Sequence, residues 1–215
     1  MQEHHLTVSR TARYFLLGTP CDAIRQVWFV CHGYGHSAST FLEKFEPLDD
    51  GHRLIVAPEG LSRFYWQGFS GKVGASWMTK EDRLNEIKDY VGYLEALYRQ
   101  ICKQIERAKV ELFVLGFSQG TATVCRWVQQ GAVECDKLIL WAGLMPPDID
   151  LKQNKKRFQQ LKLTLVVGNR DELAKPTVIT EQESRLKQND IPYRLLRFDG
   201  GHEIHDETLK EIAAF

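Results

Sequence analysis

The stretch Glu111–Val124 constrains the fold most, because an apolar segment stops at Gly116 and a helical pattern starts after Ser118. The run Leu112–Leu115 predicts a buried strand, and the residues after Ser118 predict a helix. Gly116 and Gly120 flank the serine in the pattern G-x-S-x-G, whose small residues permit a turn that projects the hydroxyl above a sheet. We therefore predict a strand, a sharp turn and a helix, with Ser118 as a candidate nucleophile.

Further apolar runs rich in β-branched and aromatic residues predict the rest of a sheet. Their hydrophobicity is continuous rather than alternating, which is typical of parallel strands covered on both faces. Helical patterns lie between them, so the sequence predicts an α/β fold with helices on both faces of a mostly parallel sheet. The segment Leu6–Leu17 alternates loosely and predicts antiparallel edge strands. The runs are Val27–Cys31, Leu54–Ala57, Leu112–Leu115, Leu138–Trp141, Leu163–Val167 and, more weakly, Tyr193–Phe198.

Two helices have identifiable boundaries in the sequence. Apolar residues recur at steps of three and four from Leu84 to Ile105, which predicts one long amphipathic helix. Thr79, with Asp82 three residues later, is a pattern that starts helices. A second predicted helix spans Gln119–Gln130, and Gly131 suits the left-handed position after its end.

Composition and charge limit the classes of function. The 215 residues suit one domain over positions 1–215. Lys+Arg and Asp+Glu are equal at 28 each, so no net field attracts nucleic acid or an anionic membrane. No basic segment followed by an apolar core opens the chain, and no apolar run reaches about 18 residues. We therefore predict a cytoplasmic protein without stable membrane insertion or nucleic-acid binding; a homodimer remains open.

The cysteines and histidines do not form a metal-binding pattern. The five cysteines lack a C-x-x-C pair and lie mostly inside apolar runs, so we interpret them as reduced core residues. A zinc site needs clustered ligands at set spacings, and the nearest candidates are only the pairs His32/His36 and His202/His205. We predict no metal and no cofactor.

A serine hydroxyl needs a base and an acid to become nucleophilic. Asp171 follows the predicted strand Leu163–Val167, and His202 follows the last predicted strand. The carboxyl ends of parallel strands meet at one edge of a sheet, and the chain order Ser, Asp, His is that of α/β-hydrolases. We therefore predict a catalytic triad in which His202 takes the proton of Ser118 and Asp171 orients the imidazole.

Both partners of the serine have alternatives. Gly200–Gly201 permit the tight backbone path that brings His202 back over the sheet, whereas His205 lies nearer the following helix and is expected to cap it. The alternatives are Glu172, Asp148 and Asp150 for the acid and His205 for the base.

Hydrolysis of an acyl bond also needs donors aimed at the developing oxyanion. The N–H of Gln119, directly after the serine, is the first candidate. The second comes from the glycine-bearing turn after Val27–Cys31, where Tyr34 N–H is preferred and Gly33 N–H is the alternative. We interpret His32 as a structural residue whose hydrogen bond fixes this loop.

The connection over residues 61–78 is unusually rich in aromatic side chains. One interpretation is a packed satellite cluster under a long loop. The other is a hydrophobic wall or lid for the substrate, because binding pockets are mostly apolar and long ordered loops tend to be functional. The predicted substrate-binding residues are Phe64, Trp66, Phe69 and Trp77 of this segment, with Leu144 and Met145.

Taken together, these motifs resemble the α/β-hydrolase superfamily, and within it the small phospholipase/carboxylesterase group that includes acyl-protein thioesterases. The resemblance implies a serine hydrolase without a cofactor, acting on carboxylic esters and sometimes on thioesters or lysophospholipids. The chain departs from the thioesterases at Tyr34–Ser37 and in the aromatic segment, both where substrate would bind. The matching motifs are His32–Gly35, Ala57–Gly60, Gly116–Gly120, Gly168–Asp171 and Gly200–His202.

The leading hypothesis is hydrolysis of a small carboxylic ester through an acyl-enzyme on Ser118. A thioesterase, lysophospholipase or peptidase with the same triad is distinguished by its leaving group alone. A binding protein on a hydrolase scaffold is the hypothesis from a different class, because one fold hosts many functions.

Overall fold

The computed structural model describes residues 1–214. The strands are β1 (Tyr14–Leu17), β2 (Gln26–Cys31), β3 (Arg53–Pro58), β4 (Ser62–Gln67), β5 (Ser70–Ser76), β6 (Glu111–Phe117), β7 (Lys137–Trp141), β8 (Lys162–Gly168) and β9 (Tyr193–Phe198). The α-helices are α1 (Ala38–Leu42), α2 (Arg83–Cys102), α3 (Gln119–Gln130), α4 (Lys155–Gln160), α5 (Pro176–Gln188) and α6 (Asp206–Ala214), and 3₁₀ segments cover Glu43–Leu48 and Arg107–Lys109.

Seven strands form the main sheet in the order β1-β3-β2-β6-β7-β8-β9. All neighbours pair in parallel except β1, which runs antiparallel to β3 with Tyr14 opposite Pro58. The predicted α/β architecture and all six apolar strands are confirmed. The loosely alternating amino-terminal segment supplies the antiparallel edge of the sheet through Tyr14–Leu17.

The sheet is covered on both faces. Alternate residues of β2 point to opposite sides: Phe29 joins the apolar layer beneath α2 to α5, whereas Trp28 joins the layer beneath α1 and α6. Every residue of β7 is buried. Double coverage explains why the strands read as unbroken apolar runs.

The predicted helix boundaries need two corrections. Helix α2 begins at Arg83, after Asp82 in a left-handed conformation with φ of 46°, and Asp82 makes no capping hydrogen bond. Thr79 instead donates its backbone N–H to the carboxylate of Glu86 at 2.6 Å. Gly131 has φ of −88°, so it is not left-handed; a methyl group there would overlap the Glu95 carboxylate.

The aromatic segment, interpreted from the sequence as part of a long loop, is a β-hairpin. Strands β4 and β5 pair antiparallel, with Ser62 opposite Ser76 and Gln67 opposite Ser70. A two-residue turn joins them, and its first residue, Gly68, has the positive φ (57°) that hairpin turns favour. The β4 residues are exposed or half-buried, and the Gly-rich β5 becomes buried only toward its end, so neither strand has the apolar pattern of the main sheet.

Candidate active site

Ser118 occupies the sharp turn between β6 and α3, with φ of 53° and ψ of −114°. A non-glycine residue in such a conformation is strained by roughly 1–3 kcal/mol. A methyl group on Gly116 would overlap the Gly120 carbonyl oxygen, and one on Gly120 would overlap the Cys31 carbonyl oxygen. The Ser118 N–H donates to the Trp141 carbonyl at 2.9 Å. The two glycines thus permit the turn that holds Ser118 beyond the carboxyl end of β6.

Asp171 and His202 meet from the loops that follow β8 and β9. Nδ1 of His202 lies 2.9 Å from Oδ2 of Asp171, whose other oxygen accepts the Leu173 N–H at 2.9 Å. The Asp171 side chain is fully buried, and the His202 side chain is 26% exposed. Because a carboxylate only accepts, Nδ1 carries the proton and Nε2 keeps a free lone pair. The His202 ring lies 5.0 Å from that of Phe117, the residue before the serine.

The two loops are fixed to each other and to the turn. The Arg170 N–H donates to the Gly200 carbonyl at 2.9 Å, and its guanidinium pairs with Asp199 at 2.8 Å. Nε1 of Trp141 donates to the Glu203 carbonyl, next to His202, at 2.7 Å. Trp141 therefore contacts both the serine turn and the histidine loop.

The alternative acids and base are engaged elsewhere or exposed. Glu172 is exposed, and Asp171 is the carboxylate that contacts His202. Asp150 accepts the Gln153 N–H at 2.9 Å, and Asp148 pairs with arginines. His205 packs on Phe198, and its Nδ1 lies 3.0 Å from Oγ1 of Thr208 in the first turn of α6, as expected for a residue that caps this helix.

The predicted oxyanion loop lies against the serine. A methyl group on Gly33 would stand 3.2 Å from Cβ of Ser118 and 3.0 Å from the Phe117 ring. The N–H groups of Gln119 and Tyr34, and also that of Gly33, donate to no atom of the described residues. These donors are therefore free for a ligand, and the geometry leaves the choice between Tyr34 and Gly33 open.

His32 holds this loop in place through hydrogen bonds of both its ring nitrogens. The Gly60 N–H donates to its Nε2 at 2.9 Å, so Nδ1 carries the proton and donates to the Gly33 carbonyl at 2.8 Å. Burial lowers the pKa of His32 from 6.5 to about 4, which keeps the ring neutral. With both nitrogens engaged, His32 has the structural role expected of it.

The side chain of Gln119 has a contact that the motif did not predict. Its Oε1 accepts the Trp77 N–H at 3.1 Å, and its Nε2 donates to the Met78 carbonyl at 2.8 Å. These bonds pair the side chain with the backbone that follows β5, much as a neighbouring strand would. Gln119 therefore connects the serine turn to the base of the hairpin.

The hairpin is also bonded to the oxyanion loop. The Gly35 N–H donates to the Ala75 carbonyl at 2.8 Å, and the Ala75 N–H donates to the His36 carbonyl at 3.0 Å. Nε1 of Trp66 donates to the Gly35 carbonyl at 2.9 Å, and Phe64 stacks on Tyr34 at 5.2 Å between ring centres. The base of the hairpin is thus a fixed wall beside the site.

The predicted substrate-binding residues fall into three groups. Trp77 and Met145 are core residues: both are buried, and Nε1 of Trp77 donates to the His32 carbonyl at 2.8 Å. Phe69 is 97% exposed at the hairpin tip. Those that flank the site's surface are Phe64, Trp66 and Leu144, which are half-buried or half-exposed.

Two arginines, the buried Arg126 and the half-buried Arg185, hold the loop that carries Leu144 and Met145, and the sequence did not single them out. Arg126 in α3 makes a two-bond ion pair with Asp148 at 2.8 and 2.9 Å. Arg185 in α5 donates to four carbonyls of this loop, among them that of Ile149 at 2.6 Å. The loop is therefore pinned from two helices.

Within residues 1–214, no group of three or more metal-ligating side chains gathers at Ser118. His32 has both nitrogens engaged with backbone groups. Within residues 1–214, one set of three side chains could share an ion, Glu3, His5 and Asp82, and all three are exposed. Nε2 of His5 lies 3.2 Å from a carboxylate oxygen of each of the two acidic residues. All five cysteines are free; Cys31, Cys125 and Cys135 are buried, whereas Cys21 is exposed.

Comparison with known families identifies the group to which this site belongs. The family model described as Phospholipase/Carboxylesterase matches residues 15–215. The chain belongs to this family. A search of curated protein sequences found no significant match.

Solved structures share the same architecture. Acyl-protein thioesterase 2 of Zea mays superposes with a TM-score of 0.72 at 19% identity, covering 95% of this chain and 97% of that one. A carboxylesterase of Mesorhizobium loti superposes with a TM-score of 0.70 at 18% identity, covering 94% of both chains. At these identities the likeness shows the α/β-hydrolase fold. No helix within residues 1–214 is long and apolar enough to cross a membrane.

Proposed function

We propose that this member of the family hydrolyses carboxylic esters of small molecules through an acyl-enzyme on Ser118. The observation that carries the proposal is the hydrogen bond of 2.9 Å between His202 and the buried Asp171, at the edge of the sheet where Ser118 occupies a strained turn. Hydrogen bonding of this kind fixes the tautomer that a general base needs.

In the proposed mechanism, Nε2 of His202 removes the proton of Ser118 as Oγ attacks the ester carbonyl. The new C–O bond converts the carbonyl oxygen to an oxyanion, which accepts N–H groups from Gln119 and from Tyr34 or Gly33. Ser118 is also the N-cap of the 12-residue α3, whose positive end faces the developing charge. Asp171 stabilises the imidazolium while it exists.

The imidazolium then donates its proton to the leaving-group oxygen, and the C–O bond to the alcohol breaks. Water enters, His202 removes one of its protons, and the resulting hydroxide equivalent attacks the acyl carbon. Collapse of this second intermediate releases the acid and returns the proton to Ser118. We assign binding of the substrate to the wall formed by Phe64 and Trp66, with Leu144 across the site.

Thioester hydrolysis is the second candidate, and the observation that favours it is the likeness to the maize acyl-protein thioesterase. The same triad serves both reactions, because the chemistry differs only in the leaving atom. A lysophospholipase differs in the same way. Matched ester, thioester and amide substrates with one acyl group would rank these activities through their kcat/KM values.

The test of the proposed function is Ser118→Ala with 4-nitrophenyl acetate. Loss of the nucleophile of a triad lowers kcat by roughly 10⁶-fold. Ser184→Ala, a change of the same type at an exposed position of α5, is the matched control and should keep wild-type activity. Undiminished hydrolysis by Ser118→Ala would contradict the proposal. No hydrolysis by the wild type would favour a binding protein on a hydrolase scaffold.

A further inference from the structure

A second imidazole shares the aromatic surface on which His202 rests. The ring of His36 stacks on Phe117 at 5.7 Å with 14° between the planes, and His202 lies 5.0 Å from the same Phe117 ring. Phe41 of α1 closes the side of this group, 6.0 Å from His36. Both histidines therefore border the same region beside Ser118.

The backbone of His36 is fixed while its ring nitrogens are free. Its N–H donates to the Gly33 carbonyl at 3.2 Å, and its carbonyl accepts the Ala75 N–H at 3.0 Å. Neither ring nitrogen bonds to a residue of the described part of the chain, although the side chain is half-buried. Partly buried polar groups normally find partners, so these nitrogens can serve a bound ligand.

The charges around His36 are positive. Burial lowers the pKa of His36, and the nearby side chains of Lys72, His202 and Lys44 lower it further. Nζ of Lys72 lies 5.2 Å above the ring of Trp66, the residue that bonds to the Gly35 carbonyl. Within residues 1–214, Lys72 has no ion-pair partner. A neutral hydrogen-bonding ring thus stands near an unpaired ammonium group.

We propose that His36 and Lys72 bind a carboxylate carried by the leaving group of the substrate. The inference rests on the proposed ester hydrolysis. A carboxylate accepts from the imidazole N–H and pairs with the Lys72 ammonium. The leaving-group side is assigned because His202 delivers its proton to the leaving oxygen, and His36 borders the same Phe117 surface.

One ammonium and one neutral donor match a single negative charge. A phosphate dianion would need further donors of the kind that arginine or a helix N-terminus supplies. The subsite therefore favours a carboxylate over a phosphate, and a phosphate-bearing ester serves as a comparison in the test.

The test uses a matched pair of substrates, 4-acetoxybenzoate and its methyl ester, which share the acyl group and the phenol ring and differ in one charge. The kcat/KM value for each ester is divided by the rate constant for its hydrolysis by hydroxide, which removes the difference in intrinsic reactivity between the esters. The wild type should have a higher normalised kcat/KM for 4-acetoxybenzoate than for its methyl ester. The increase over the methyl ester should be smaller for 4-acetoxyphenyl phosphate. Hydrogen bonds and ion pairs to a charged group correspond to about tenfold in affinity.

His36→Phe keeps the stacked ring and removes the nitrogens, and Lys72→Met removes the charge. Each should lower kcat/KM for the anionic ester by about tenfold more than it lowers kcat/KM for the neutral ester, mainly through KM. His36→Gln should restore part of the preference, because its amide can donate. Lys103→Met, at an exposed lysine after the end of α2, is the control and should change neither substrate.

The outcomes separate the two proposals. If the wild type hydrolyses neither ester, ester hydrolysis itself is wrong and the subsite fails with it. If it hydrolyses both esters and the variants leave the ratio unchanged, the subsite alone is refuted. Equal effects of His36→Phe on both esters would assign His36 a purely structural role and would also overturn the inference.

Discussion

The side chain of Gln119 is expected to stabilise the site independently of the backbone N–H proposed for the oxyanion. Gln119→Ala keeps that N–H and removes the bonds to the Trp77 N–H and the Met78 carbonyl. Trp77 in turn donates to the His32 carbonyl, so the loss reaches the oxyanion loop. We predict a loss of both stability and activity.

The magnitude follows from the two bonds. Each intramolecular hydrogen bond contributes about 0.5–1.5 kcal/mol net, so two give about 1–3 kcal/mol. Alanine has a higher helix propensity than glutamine, and this gain offsets roughly a few tenths of a kcal/mol of the loss. We expect the free energy of unfolding to fall by about 2 kcal/mol. Small displacements of catalytic donors also slow the reaction, and we expect kcat to fall by roughly tenfold.

The assay is urea unfolding combined with the rate of 4-nitrophenyl acetate hydrolysis. Gln130→Ala is the matched control, because Gln130 is an exposed glutamine at the opposite end of the same helix. The two variants should differ by about 2 kcal/mol, the contribution of the two lost bonds, because the gain in helix propensity is common to both. Equal unfolding free energies and equal rates would refute the assignment of Gln119 as the connection between the serine turn and the hairpin.

Three further predictions concern stability. The folded-state pKa of His32 is about 4, below its ordinary 6.5, so the unfolded chain binds a proton first as the pH falls. The free energy of unfolding should therefore fall by about 3 kcal/mol between pH 6.5 and pH 4. Urea midpoints that stay constant over this range would contradict the prediction. Asp148→Asn leaves Arg126 unpaired, with 5% of its side chain exposed, and should lower the free energy of unfolding by about 3 kcal/mol. Arg126→Met should lower it less, because Asp148 stays paired with Arg83. Thermal unfolding of both variants checks this order. Gly120→Ala should destabilise the protein by about 1–3 kcal/mol, because its methyl group overlaps fixed backbone atoms. Gly92→Ala in α2 has open space around it and should stabilise the protein by about 1 kcal/mol. Changes of the same sign in both variants would contradict this prediction.

The sheet was predictable because its strands are covered on both faces. Continuous apolar runs such as Leu138–Trp141 have few alternatives to a buried strand, and the loops after β8 and β9 follow from parallel pairing. This topology brings Asp171 and His202 together although 31 positions separate them. The sequence alone left Glu172 as an alternative acid, because the two adjacent carboxylates differ only in the structure, where Asp171 is buried against His202 and Glu172 is exposed.

The hairpin escaped prediction for the converse reason. Residues such as Tyr65 and Phe69 are exposed, so the segment lacks the period-two burial that indicates a strand. The available signal was the turn residue Gly68 after the aromatic run Phe64–Trp66. Leu84 was expected on the buried face of α2 and is 75% exposed, because the helix begins only one residue earlier and its first turn faces solvent.

Contacts between distant side chains were beyond the sequence altogether. Nothing in the pattern around Arg126 or Arg185 indicates that they pin one loop, since their partners lie 22 or more positions away. His36 was considered only as part of a histidine pair, and its stacking on Phe117 depends on the tertiary path of the oxyanion loop.

The most direct test of the account is the site of covalent labelling by a fluorophosphonate at neutral pH, read by mass spectrometry of the intact chain and of its peptides. We predict a single adduct on Ser118, formed far more slowly in His202→Asn, which lacks the base. No adduct, an adduct on another residue, or equal labelling of His202→Asn would contradict the proposal that Ser118, His202 and Asp171 act as one catalytic unit.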